Sequence, residues 1–90
     1  MRIDVYLKRC GLMKHRSLAK RACDNGIVRI EGFRAKPGKE IRIGQHIAIE
    51  FRDRLLRIEV SEIPKKSISK KEAKQFYRIL SEEPKSPSPF

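Results

Sequence analysis

A chain of 90 residues holds one small domain and has no room for two. Lys and Arg number 22 against 11 Asp and Glu, a net charge of +11, and hydrophobic residues make up 39%. This composition folds behind a strongly basic surface. It excludes a disordered chain and a large catalytic cleft, and it calls for an anionic partner, nucleic acid first and an anionic membrane surface second.

No apolar run approaches the roughly 18 residues of a membrane span, and Met1-Arg2-Ile3-Asp4 lacks the apolar stretch of a signal peptide. Two cysteines, Cys10 and Cys23, make no disulfide framework, so a cytoplasmic location with reduced thiols is expected. The charge is uneven. Residues 1–23 carry seven Lys or Arg against one acid, residues 24–63 eight against seven, and residues 64–90 seven against three. The excess at the N-terminal end places a binding face there.

In chain order, Asp4 is an N-cap candidate for a short helix over Val5–Cys10, ended by Gly11. Leu12 and Met13 are apolar loop residues that turn inward. Ser17 is the next cap candidate, and Leu18, Ala19, Ala22 and Cys23 recur at helical spacing until Asn25-Gly26. The period then changes to two. Ile27–Ile30 reads as a strand, Glu31-Gly32 as a tight turn and Phe33–Ala35 as the returning strand. After the Lys36-Pro37-Gly38-Lys39 loop, Ile41, Ile43, Ile47, Ile49 and Phe51 alternate with polar residues, predicting a strand that runs into Arg52. Asp53-Arg54 is a hairpin tip, and Leu56, Ile58 and Val60 form the next strand, with Pro64 closing the sheet. Ser69-Lys70-Lys71-Glu72 has the form of a capping box, and Ala73, Phe76, Tyr77 and Leu80 follow at helical spacing, predicting a helix ended by Pro84. The Pro- and Ser-rich segment 84–90 reads as a disordered tail.

Three linked segments carry a family resemblance: Arg2-Ile3-Asp4-Val5-Tyr6-Leu7, Lys14-His15-Arg16-Ser17-Leu18-Ala19 and Gly26-Ile27-Val28-Arg29-Ile30-Glu31-Gly32. In order and spacing, residues 1–51 resemble the S4-type RNA-binding domain. Glu31 stands where the family has Asn, and Gln45 where it has an acid after the distal glycine. The short hairpin and the ending Phe76-Tyr77-Arg78-Ile79-Leu80 resemble the stand-alone YabO-like S4 proteins of ribosome-associated quality control, relatives of a heat-shock S4 protein that binds large ribosomal subunits. The resemblance implies binding to 23S rRNA on a large subunit that carries peptidyl-tRNA, in partnership with a nascent-chain tailing factor. The alternative it leaves open is a ribosome-assembly or heat-shock factor on the same fold.

The fold expected is α+β: an S4-type domain over residues 1–63 with two short helices on a mostly antiparallel sheet, a C-terminal helix over 64–83, and the tail. The RNA-binding candidates are Arg2, Lys8, Lys14, His15, Arg16, Ser17, Lys20 and Arg21, with Arg34 and Lys36 at the rim. Only Asp4 opposes this N-terminal group, and Arg16 leads it because it sits at a helix start, where guanidinium and backbone N–H groups can share a phosphate. Asp4 reads as a cap or as an ion pair holding Arg2 or Arg16. Phe76 and Tyr77 read as core before base-stacking residues, and Lys65, Lys66, Lys70, Lys71 and Lys74 form a second basic cluster. The spacings of Cys10, His15, Cys23 and His46 fit no zinc pair, and both cysteines read as small core residues. No Gly-rich phosphate loop, nucleophile–base pair or carboxylate pair is present, so a monomeric non-enzyme without cofactor or metal is expected. A DNA-binding helix-turn-helix is disfavoured by the short helices, and a membrane-surface module by the lack of apolar residues interleaved with the basic ones.

Overall fold

Both predicted N-terminal helices form, each shifted by a residue or two. The computed structural model describes residues 1–66 and 68–85. Helix α1 spans Ile3–Arg9 and α2 spans Arg16–Asp24, followed by strands β1 (Val28–Ile30), β2 (Phe33–Arg34), β3 (His46–Glu50) and β4 (Arg54–Val60). A single turn, α3 (Lys70–Ala73), leads into β5 (Tyr77–Pro84). The five strands pair antiparallel in the order β2-β1-β3-β4-β5.

The period of two in β1, β3 and β4 sends one set of side chains to each face. Val28, Ile49 and Leu56 form one cross-strand row, and Ile30, Ile47 and Ile58 the next. All six are buried, in one core with Ile3, Tyr6, Leu7 and Cys10 of α1 and Ala19, Ala22 and Cys23 of α2. Fully burying each large aliphatic side chain stabilises the fold by roughly 1.5–3 kcal/mol. Arg29 and Arg57 point to the opposite, solvent-exposed face.

Between β1 and β2, Glu31 and Gly32 have φ of 51° and 84°, the pattern of a two-residue hairpin turn. Asn tolerates the first of these conformations better than Glu does. Glu31 is anchored instead by its partner strand: its carboxylate accepts the His46 N–H at 2.6 Å, and its own N–H donates to the His46 carbonyl at 2.9 Å.

Several expectations need correction. The helix predicted over 64–83 exists only as α3. Ser69 does cap it, accepting the Glu72 N–H at 3.3 Å, but from Tyr77 onward the chain is a strand on the open edge of β4. Pro84 ends that strand rather than a helix, and Pro64 does not close the sheet. Ile41 is buried and Ile43 is exposed, but neither lies in a strand: Glu40 bridges to Arg2 and the Ile41 N–H donates to the Met1 carbonyl, so this segment pairs with the N-terminus instead of β1. Arg54 opens β4 rather than sitting in a hairpin tip. Leu18 is 45% exposed and the buried stripe of α2 is Ala19, Ala22 and Cys23. Of the predicted tail, Pro84 and Lys85 are ordered beside β4, with the Lys85 N–H donating to the Asp53 carbonyl at 2.9 Å. Residues 86–90 lie outside the described residues.

Candidate nucleic-acid interface

The centre of the basic face is a carboxylate. Asp4 is 1% exposed, in the first turn of α1, and its Oδ2 accepts from Arg2 Nη2 at 3.1 Å and from Arg16 Nε at 3.3 Å. Its Oδ1 accepts the Val5 N–H at 2.8 Å. Asp4 is therefore not the N-cap. Arg2 holds that position by backbone geometry, and the Ile3 and Asp4 N–H groups donate to the Lys39 and Pro37 carbonyls at 2.8 and 3.3 Å. The Lys36–Lys39 loop thus caps α1 and draws Arg2 against Gly38, where an added Cβ would lie 3.7 Å from Arg2 Nη2.

Sharing one acid brings Arg2 and Arg16 side by side from different elements. Each guanidinium has five N–H donors and gives one of them to Asp4, so most remain available, and both side chains are about half exposed. Arg16 opens α2. His15, in extended conformation, is its N-cap residue and makes no side-chain cap bond. Ser17 is inside the first turn and caps nothing. The first N–H groups of α2 thus lie beside the arginine pair without a capping side chain.

Around this centre Lys14, His15, Ser17 and Lys20 are exposed, with Lys20 one turn below Arg16. Lys8 is exposed in the last turn of α1. Arg21 is exposed too, but it lies about 140° around α2 from Arg16 and is not brought to the centre. The guanidinium of Arg34 donates to the Asp24 carbonyl at the end of α2 and lies against Gly26, so it braces the helix C-terminus. Arg9, part of the same basic run, donates to the Pro64 carbonyl at 3.2 Å. Lys36 is exposed on the capping loop, and beside it stands Lys39, which sequence reasoning missed although the Lys-Pro-Gly-Lys composition marked the loop.

Behind the face, burial pushes the Cys10 and Cys23 thiols up to about 11 and raises Tyr6 and Tyr77 above their ordinary range. Both cysteines are buried free thiols in the core. The Tyr6 hydroxyl donates to the Phe76 carbonyl at 2.7 Å, tying α1 to the segment before β5. Phe76 and Tyr77 are partly buried against the core, though not on a helix. Among the described residues no three His, Cys, Asp or Glu side chains gather as metal ligands do, and no helix is long and apolar enough to cross a membrane.

Comparison with known proteins gives the family and the fold. The model of the S4 domain family matches residues 1–47. The RQC P-site tRNA stabilizing factor of Halalkalibacterium halodurans is 36% identical over 98% of this chain and 99% of its own length. The factor of the same name from Bacillus subtilis is 37% identical over 92% and 95%. A trimeric structure of Vibrio cholerae heat shock protein 15 superimposes with a TM-score of 0.83 at 33% identity, over 90% of this chain and 82% of that one. With the family's pattern on α1, α2 and the following strands, and relatives aligned along nearly its whole length, this chain belongs to the S4 domain family, in the group of RQC P-site tRNA stabilizing factors.

Proposed function

We propose that the protein is a non-enzymatic RNA-binding factor that docks as a monomer on a large ribosomal subunit holding peptidyl-tRNA in the P site, and so assists the tailing of stalled nascent chains in the cytoplasm. The observation that carries the proposal is the pair of arginines, Arg2 and Arg16, held side by side by buried Asp4. The relatives' name, with its P-site tRNA, supplies the ligand class.

The mechanism is recognition of phosphate and shape. A-form RNA hides its major groove, so a protein reads its backbone, 2′-OH groups and junctions. The two guanidinium groups present planar forks suited to phosphate oxygens, and the start of α2 adds backbone N–H donors. Lys14, His15, Ser17 and Lys20 flank this centre, Lys36 lies at its rim, and Lys8 and Arg21 contribute more distant charge. Arg34 serves by bracing α2. The RNA is 23S rRNA together with the tRNA it holds. A face that spans both would bind the loaded particle more tightly than either alone.

The test is co-sedimentation with purified large subunits, with and without peptidyl-tRNA, over a salt series. The expected result is tighter binding to the loaded particle, with log K falling by about 0.7–0.9 per phosphate contacted for each unit of log salt. Equal binding to loaded and empty particles, or a flat salt response, would contradict the proposal.

A further inference from the structure

Phe33 is 78% exposed, more than any other large apolar side chain among the described residues. It forgoes the burial that a side chain of its size normally finds. It stands directly after the Glu31-Gly32 turn, at the start of the edge strand β2, so the hairpin fixes it in place. Beside it runs an open groove whose lining includes Phe33, Ala35, Lys36, Gly38 and Lys39. Neither Lys36 nor Lys39 has a carboxylate within ion-pair distance among the described residues. The acid in the lining, Glu31, is engaged by the His46 N–H. Gly38 belongs both to this groove and to the wall against Arg2, so the groove adjoins Arg2.

We infer that the groove receives an unpaired nucleotide, its base stacked on Phe33 and its phosphate held by Lys36 and Lys39. This rests on the RNA-docking reading above and assigns it a second contact of different chemistry. An exposed aromatic face beside two free cations, with the one lining acid held to the backbone of β3, complements a base and its phosphate. A nucleotide within a duplex has no open face to offer, so the partner is single-stranded. Stacking of this kind tolerates any base.

The experiment compares Phe33→Ala, Phe33→Leu, Phe33→Trp and Arg16→Ala by co-sedimentation with peptidyl-tRNA-bearing large subunits over a salt series, with a melting curve for each. Loss of a stacked base costs about five- to a hundredfold in affinity. Phe33→Ala and Phe33→Leu should both show that loss, and Phe33→Trp should bind at least as tightly as the unaltered chain. The salt slope should stay unchanged in all three, because stacking neutralises no phosphate, whereas Arg16→Ala should make the slope shallower. Should Phe33→Ala lower the melting temperature, Leu and Trp still give the comparison, since both keep apolar bulk. Full binding by Phe33→Leu would assign the groove to an apolar side chain of a protein partner and overturn the inference. Full binding by Phe33→Ala would overturn it too. If Arg16→Ala binds weakly while Phe33→Ala binds normally, the groove assignment alone fails; if both bind normally, the docking face itself fails.

Discussion

At the α1–α2 end a single buried acid, Asp4, serves two arginines. Along β4, β5 and the adjoining end of β3 the acids are exposed or half-buried and roughly match the cations in number: Glu59 with Arg78 at 2.7 Å, Glu82 with Arg54 at 3.0 Å, and Glu50 with Lys85 at 3.0 Å. The residue types are alike and the outcomes differ. The shared, buried acid leaves a positive excess whose position is fixed before any ligand arrives. The near one-to-one pairs neutralise an edge strand and blunt it against pairing with another chain, each contributing little to stability. Where the acid is buried, it fixes the place of unspent positive charge; where it is exposed, the charges cancel at the surface.

The sharpest way to break this contrast is to remove one arginine from each region. Arg16→Ala should weaken co-sedimentation with loaded large subunits by about ten- to a hundredfold, the roughly 1.5–3 kcal/mol of a charge-assisted contact. Arg16→Lys keeps the charge without the fork and should restore only part of it. Arg57→Ala, on the sheet face away from the helices, removes the same charge and should cost far less. Equal losses would mean that net charge alone matters.

A second expectation concerns the interior behind the basic face. The thiols of Cys10 and Cys23 sit at about 11 against an ordinary 9.0, and burial raises Tyr6 as well. The folded state keeps protons that the unfolded chain releases. The stability the two thiols contribute is therefore complete below pH 9.0 and is lost as pH rises through about 11, while that of Tyr6 is lost at still higher pH. Melting curves taken from neutral pH upward should show a fall over that window, and the double variant Cys10→Ala/Cys23→Ala should show a smaller one. A curve equally steep in the double variant would contradict the assignment to the thiols. The smallest effect belongs to the exposed edge: Glu82→Gln should cost less than about 1 kcal/mol in denaturant unfolding and leave ribosome binding unchanged.

The N-terminal half was largely legible because its signals are local. Gly11 and Gly26 end helices with φ of 71° and 74°, Glu31-Gly32 makes the turn, and the period of two in β1 and β4 marks the buried rows. Asp4 reads from the sequence as a cap or an ion pair; it is an ion pair with both arginines, which no spacing rule distinguishes from a cap one residue away. Ser17 misled in the same way, since the extended residue before α2 is His15. The C-terminal segment was illegible for a nonlocal reason. Ala73, Phe76, Tyr77 and Leu80 fit a helix stripe as well as any sequence can, yet β4 offers an unpaired edge, and Tyr77 and Ile79 align opposite Val60 and Ile58. The register shift between Arg57 and Ile58 leaves Ile79 and Leu80 both exposed and erases the alternation that would have signalled a strand. The Tyr6 hydroxyl on the Phe76 carbonyl pins the point where helix gives way to strand, a contact across 70 residues. In the candidate interface, neither the hold of Arg34 on the end of α2 nor the role of Lys36–Lys39 in capping α1 has a local signature.

The central claim is that Asp4 positions Arg2 and Arg16 for RNA, and Asp4→Asn tests it most directly. The substitution is isosteric and raises the net charge by one. Binding to peptidyl-tRNA-bearing large subunits is measured at fixed salt, well below the melting temperature of each protein. If positioning matters, the more positive variant binds about three- to tenfold more weakly, because two freed arginines must be ordered again on docking. Binding as tight as that of the unaltered chain, or tighter, would show that charge alone drives association and would contradict the account.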